Sequence, residues 1–203
     1  VLITGLWILN NFRVKKKYIS TLEKAINHRH LNLENINLDT TDSHIVSTIE
    51  TALNENDINK QLFAIDLIKN LPLHNWSKTL NKLVEHGTFE VQKRLLNLAS
   101  YRKGFIDKKI LLKLSKGEDE IAALAIPLNN NKILENLFSK LIDNLDHNNG
   151  HIKASSAVGI LRINNDNKKA RKVLNDFLDV KNEETTSLAL DYLKTSSKLL
   201  PKN

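Results

Sequence analysis

The chain has 203 residues, 41% hydrophobic and 26% charged, the balance of a folded globular protein and not of a disordered one. It has no cysteine, which excludes disulfides, cysteine-held iron–sulfur clusters and thiol nucleophiles, and its six Gly and three Pro are too few for an all-β protein rich in tight turns. Thirty basic residues against 23 acidic ones give a net charge of +7, which raises the question of a nucleic-acid partner.

The chain opens "VLITGLWILN NFRVKKKYIS", an apolar stretch with Trp7 followed at once by Arg13, Lys15, Lys16 and Lys17. These nine mostly apolar residues are about half of what a bilayer-spanning helix needs. A signal peptide carries its positive charges before the apolar stretch, whereas here they follow it. Apolar residues, an interfacial Trp and then a basic cluster are the order found at the cytoplasmic end of a spanning helix. The absence of methionine, even at position 1, agrees with a chain excised from a larger one. The expectation is that residues 1–12 end a transmembrane helix. The alternative is a buried helix with its lysines on the solvated face.

Residues 13–41 read as a basic juxtamembrane helix, with Tyr18, Ile19, Leu22, Ala25 and Ile26 on one face, and an extended linker "LNLENINLD". Most of the net charge sits at this end of the chain. Residues 1–30 carry six basic groups against Glu23, and the remainder is close to neutral. A basic cluster at one terminus is not the basic stripe along a groove that nucleic acid requires, so no nucleic-acid partner is expected.

From about Asp42 to the end, residues 42–203, helix pairs recur. The second helices align as "DINKQLFAIDLI", "TFEVQKRLLNLA", "EDEIAALAI", "GHIKASSAV" and "NEETTSLALDYL", with Lys60, Val91, Ile121, Ile152 and Thr185 in one column. The intervals are 31, 30, 31 and 33 residues. Four residues on, the column reads Ala64, Leu95, Ala125, Ser156 and Ala189, mostly small, as close helix stacking needs. Each pair begins with a helix of three- and four-residue apolar spacing, such as Ile45, Ile49 and Leu53. Turn residues close the helices at Asn56-Asp57, His86-Gly87, Lys116-Gly117 and Asn148-Asn149-Gly150. A pair cannot bury its apolar face alone, so the expected fold is all-α, a right-handed α-solenoid of about five short helix pairs preceded by an N-terminal helix and linker.

A pair period near 31, with D-x-x-[VI]-[KQ] opening the second helix, resembles the short bacterial form of HEAT repeats. The order of the first 70 residues is also similar to the segment that joins the last transmembrane helix to a cytosolic HEAT domain in bacterial ATP:ADP translocase-like membrane proteins. Arg13, Tyr18, Leu22, Ala25, Leu31, Leu33, Leu38, Asp39 and Asp42 carry that likeness, followed by Ala64, Asp66 and Leu67. The resemblance implies a cytosolic arm of a transporter-like protein at the bacterial inner membrane. The nucleotide-handling part of such proteins lies in the membrane, so no nucleotide site carries over and no cofactor is expected.

Motifs that suggest chemistry have plainer explanations. His147 and His151 are four apart, but Asn148, Asn149 and Gly150 break any helix between them, which leaves turn histidines and not a metal pair. His28 and His30 extend a basic face. Glu118, Asp119 and Glu120 complement a helix N-terminus. Gly159 is a helix-packing glycine and Trp76 fills a core gap. No Walker loop, dinucleotide fingerprint or nucleophile elbow occurs. No catalytic or metal residue is assigned. The one candidate site is the membrane-proximal cluster Arg13, Lys15, Lys16 and Lys17, each of which gains about 1 kcal/mol near an anionic lipid surface. The function expected is a non-catalytic interaction domain that binds a protein partner or another domain of its own chain. A free-standing cytoplasmic HEAT scaffold is the alternative, and a HEAT-fold DNA glycosylase is disfavoured by the sparse aromatics (5%).

Overall fold

The computed structural model describes residues 20–22, 24, 26, 38, 40–179 and 190–193. The basic cluster Arg13, Lys15, Lys16 and Lys17, the apolar opening, His28, His30 and most of the fifth pair's second helix lie outside the described residues. Every regular element described is helical, so the fold is all-α. No helix among the described residues is long and apolar enough to cross a membrane.

Helices α1 (Ser43–Asn54) and α2 (Ile58–Ile68), α3 (Ser77–His86) and α4 (Phe89–Tyr101), and α5 (Lys108–Leu114) and α6 (Glu120–Ala125) follow one another as pairs. Two short helices, α7 (Asn131–Asn136) and α8 (Phe138–Asp143), then lead to α9 (Gly150–Ile163) and α10 (Lys168–Asp179). The second helices start after Asp57, Thr88, Asp119 and Asn149, at intervals of 31, 31 and 30 residues. At three of these caps the side chain accepts a backbone N–H that has no partner inside the helix. Asp57 accepts from Asn59 and Lys60, Asp119 from Ala122 and Asn149 from His151. Thr88 makes no such bond.

Counted from these caps, Ile121 stands one residue out of the sequence column, and Ala122 is the true equivalent of Lys60, Val91 and Ile152. Seven residues past each cap stand Ala64, Leu95, Ile126 and Ser156, all 0% exposed, so Ala125 also leaves the column expected to be small and a large side chain takes its place. Ala189 lies outside the described residues. A further equivalence is carried by glutamine. Gln61 Nε2 donates to the Leu53 carbonyl at 3.2 Å, and Gln92 Nε2, 31 residues on, donates to the Val84 carbonyl at 2.8 Å. Each bond ties the first turn of a second helix to the carbonyls left over at the end of its first helix.

The chain divides into two compact units, residues 1–82 and 83–203. In the first, α1 packs on α2 and on the 3₁₀ turn Leu73–Trp76. Trp76 is 1% exposed, and its indole N–H donates to the Val46 carbonyl at 3.1 Å, which places it in the core as expected. Leu22, Ile26 and Leu38 are also buried.

In the second unit, α9 is enclosed by α6, α7, α8 and α10 and by the 3₁₀ turns Ile126–Leu128 and Asn144–Asp146. Residues 154 to 161 of α9 are buried without interruption, the pattern of a helix with no solvated face. Gly159 makes the close approach possible, since a Cβ there would lie 3.2 Å from Ile126 Cγ2 and 3.4 Å from Leu141 Cδ1. Ser156, buried in the same helix, accepts a hydrogen bond from Asn144 Nδ2 at 3.1 Å. Lys113 of α5 pairs with Glu85 of α3 at 2.7 Å, and Lys169 of α10 pairs with Asp146 of the turn after α8 at 2.6 Å.

Candidate functional site

The second helices of the larger unit share a groove of about 380 Å³. Helix α4 contributes Lys93 and, four, seven and eight residues on and hence on one face, Asn97, Ser100 and Tyr101. Helix α6 contributes Glu120 and Leu124, and the turn after it Pro127 and Leu128. His151 enters from the first turn of α9, and Asp191 and Tyr192 close the far side. The apolar floor is Leu96, Leu124, Pro127 and Leu128, and Tyr101, 62% exposed, stands at the rim.

The polar groups pair across the helices. Lys93 Nζ lies 2.5 Å from Glu120 Oε1 and 5.5 Å from the centre of the Phe89 ring, so its charge is shared between a carboxylate and an aromatic face. His151 Nδ1 lies 3.1 Å from the Tyr192 hydroxyl, with the two rings edge-on at 85°. Tyr192 is 4% exposed. Burial first, and then the charges of Glu120 and Asp191, push its phenol well above the usual range, so it stays protonated at neutral pH. One cation and two carboxylates give the groove a local negative excess on a chain whose net charge is +7.

The break between His147 and His151 is present. His147 caps the turn by accepting from the Asn149 N–H at 3.0 Å, and His151 lies on α9. His151 is nonetheless a groove residue and not merely a turn histidine, which its sequence context does not show. Asp119 caps α6 as expected, while its neighbour Glu120 serves the groove. Tyr192 and Asp191 carry no sequence signal beyond helical period. Among the described residues no three His, Asp or Glu side chains are grouped to hold a metal ion.

A second pocket of about 250 Å³ adjoins the groove and shares Ser100, Pro127 and Leu128 with it. Arg162, at the end of α9, lines it together with Lys103 and Asn130. The Arg162 guanidinium donates to the carbonyls of Pro127 at 2.6 Å and Asn129 at 2.8 Å, and to Asn131 Oδ1 at 3.3 Å. Comparison of the chain with protein-family models, with curated proteins and with solved structures finds no match.

Proposed function

We propose that this chain is a non-catalytic interaction domain, a HEAT-like α-solenoid that forms the cytosolic arm of a transporter-like bacterial membrane protein. The observation that carries the interaction reading is the groove laid across successive second helices, with an apolar floor, paired polar walls and an exposed tyrosine at its rim. Stacked helix pairs offer an extended surface of this kind to a protein partner or to another domain of the same chain. The regular caps at Asp57, Thr88, Asp119 and Asn149 and the repeated glutamine bonds support the repeat reading. The membrane reading rests on the sequence order at residues 1–42 and on the basic cluster Arg13, Lys15, Lys16 and Lys17.

The test is site-specific photocrosslinking in vivo from a benzophenone amino acid placed at position 101. The expected result is a crosslink to one defined partner or to a distant segment of the same chain, abolished by Asn97→Arg, which fills the groove from an exposed position. No crosslink, or one that persists in Asn97→Arg, refutes the interaction reading. The membrane reading is tested separately. Reversing Lys15, Lys16 and Lys17 to Glu is expected to weaken binding to anionic vesicles with melting unchanged, and undiminished binding removes that role.

A further inference from the structure

The pocket at the end of α9 differs in chemistry from the groove beside it. Its lining includes two cations, Arg162 and Lys103, and no carboxylate. A guanidinium has five N–H donors, and the bonds to Pro127, Asn129 and Asn131 engage at most three. All three acceptors are neutral oxygens. Arg162 is partly buried, and that desolvation is the cause that lowers its pKa, so the charge sits in a poor solvent with no counter-ion among the described residues. Asn130 adds to the donor set: its side-chain oxygen caps α7 by accepting from the Ile133 N–H at 3.0 Å, and its amide N–H₂ has no acceptor among the described residues. Lys103 is exposed and is followed by Gly104 at φ +94°, a left-handed turn that ends the α4 segment at the pocket mouth.

We propose that this pocket is an oxyanion site, in which Arg162, Lys103 and Asn130 receive a phosphate or carboxylate group. A purely structural Arg162, clamping the turn after α6, accounts for its three bonds. It does not account for a second cation and a second set of donors in a pocket with no acid. An oxyanion accepts from all three groups and supplies the missing countercharge, and guanidinium recognition of such groups is geometrically favourable. The inference stands independently of the interaction reading, since it concerns a different pocket.

The test is a titration of the full chain followed by ¹⁵N NMR, with inorganic phosphate, with N-acetyl-aspartate amide and with sodium chloride at matched ionic strength as separate arms. Saturable shifts at the Arg162 Nε–H and the Gly104 amide with phosphate or the aspartate derivative, absent with chloride, are expected. Phosphate alone assigns a phosphoryl ligand, and saturation by both admits a carboxylate. Lys103→Glu, a change at an exposed side chain that leaves the core intact, is expected to weaken binding about tenfold or more. No saturable shift with either anion, the same shifts with chloride, or undiminished affinity in Lys103→Glu overturns the proposal.

Discussion

Replacing Gly159 tests the packing of the larger unit at its tightest point. A Cβ built there lies 3.2 Å from Ile126 Cγ2, 3.4 Å from Leu141 Cδ1 and 3.6 Å from Leu134 Cδ2, and all three partners are themselves at most 1% exposed. Two effects oppose each other in Gly159→Ala. Removing a glycine from a helix interior stabilises by about 1 kcal/mol, while inserting a methyl into a closed core costs about 1–3 kcal/mol. The net expectation is a loss of roughly 1 kcal/mol. Gly159→Leu sends three more carbons into the same three partners, gains nothing further in propensity, and should cost at least about 3 kcal/mol, the upper end of overpacking. For a chain of this size that is a fall in Tm of about 6–12 °C.

Thermal unfolding by circular dichroism at 222 nm reads the loss of helix. Fluorescence reads the smaller unit separately, because both tryptophans, Trp7 and Trp76, belong to residues 1–82. The expected order of Tm is wild type, then Gly159→Ala, then Gly159→Leu, with the largest step between the last two. A Gly159→Leu variant that melts at or above the wild-type temperature would refute the reasoning, since it would mean that space exists where three buried side chains converge.

Three further expectations follow from single positions. Gly104→Ala meets no atom within 4 Å, so its cost is purely the left-handed backbone, about 1 kcal/mol in urea unfolding, whereas Gly87→Ala drives a Cβ to 2.4 Å from the Leu83 carbonyl and should cost more; the reverse order would contradict the structure. Asp119→Ala removes a cap bond of 2.8 Å to the Ala122 N–H and should cost about 1 kcal/mol, while Thr88→Ala, at the equivalent cap without a side-chain bond, should cost clearly less in the same assay. Tyr192 has a folded pKa above its unfolded value of about 10. The stability held by its protonated form is therefore complete below pH 10 and is lost as pH rises from there towards the folded pKa. Between pH 9 and 11 the wild-type Tm should fall more steeply than that of Tyr192→Phe, and parallel curves would contradict the burial of the phenol.

The helix pairs were legible because their signals are local. A cap such as Asp57 or Asp119 acts within three residues, and the apolar spacing of Ile45, Ile49 and Leu53 repeats within two turns, so a short window of sequence contains the whole cause. The reading failed where tertiary packing redistributed the chain. Helix α6 is only six residues long, with Pro127 in the 3₁₀ turn that follows it, and its cap at Asp119 puts Ala122, not Ile121, in the column. The segment 137–147, whose apolar spacing reads as one first helix, is α8 followed by the 3₁₀ turn Asn144–Asp146, and α7 is a separate short helix before it. Helix α9 was read as one more second helix. Its unbroken burial from Ala154 to Leu161 shows it to be the centre of its unit, and only the column of small residues around Ser156 and Gly159 hinted at that.

The groove was not legible even with the repeat in hand, and the reason lies in register. If it lay along one column of the repeat, its residues would stand at the same distance from each cap. Lys93 is five residues past Thr88, Glu120 is one past Asp119 and His151 is two past Asn149, so neighbouring helices contribute from different heights. Such offsets are set by how far each helix slides on the next, which depends on Leu, Ile and Ala contacts spread over the whole core. The same holds for Arg162, whose partners Pro127, Asn129 and Asn131 lie more than 30 residues upstream. A charge-reversal or crosslinking result at these positions therefore tests the packing offset as well as the chemistry. Photocrosslinking from position 101 that is blocked at Asn97 requires both α4 residues on one open face, and saturable anion shifts at Arg162 that depend on Lys103 require the ends of α4 and α9 to meet at one pocket. Each readout fails if its offset is wrong, whatever the identity of the ligand.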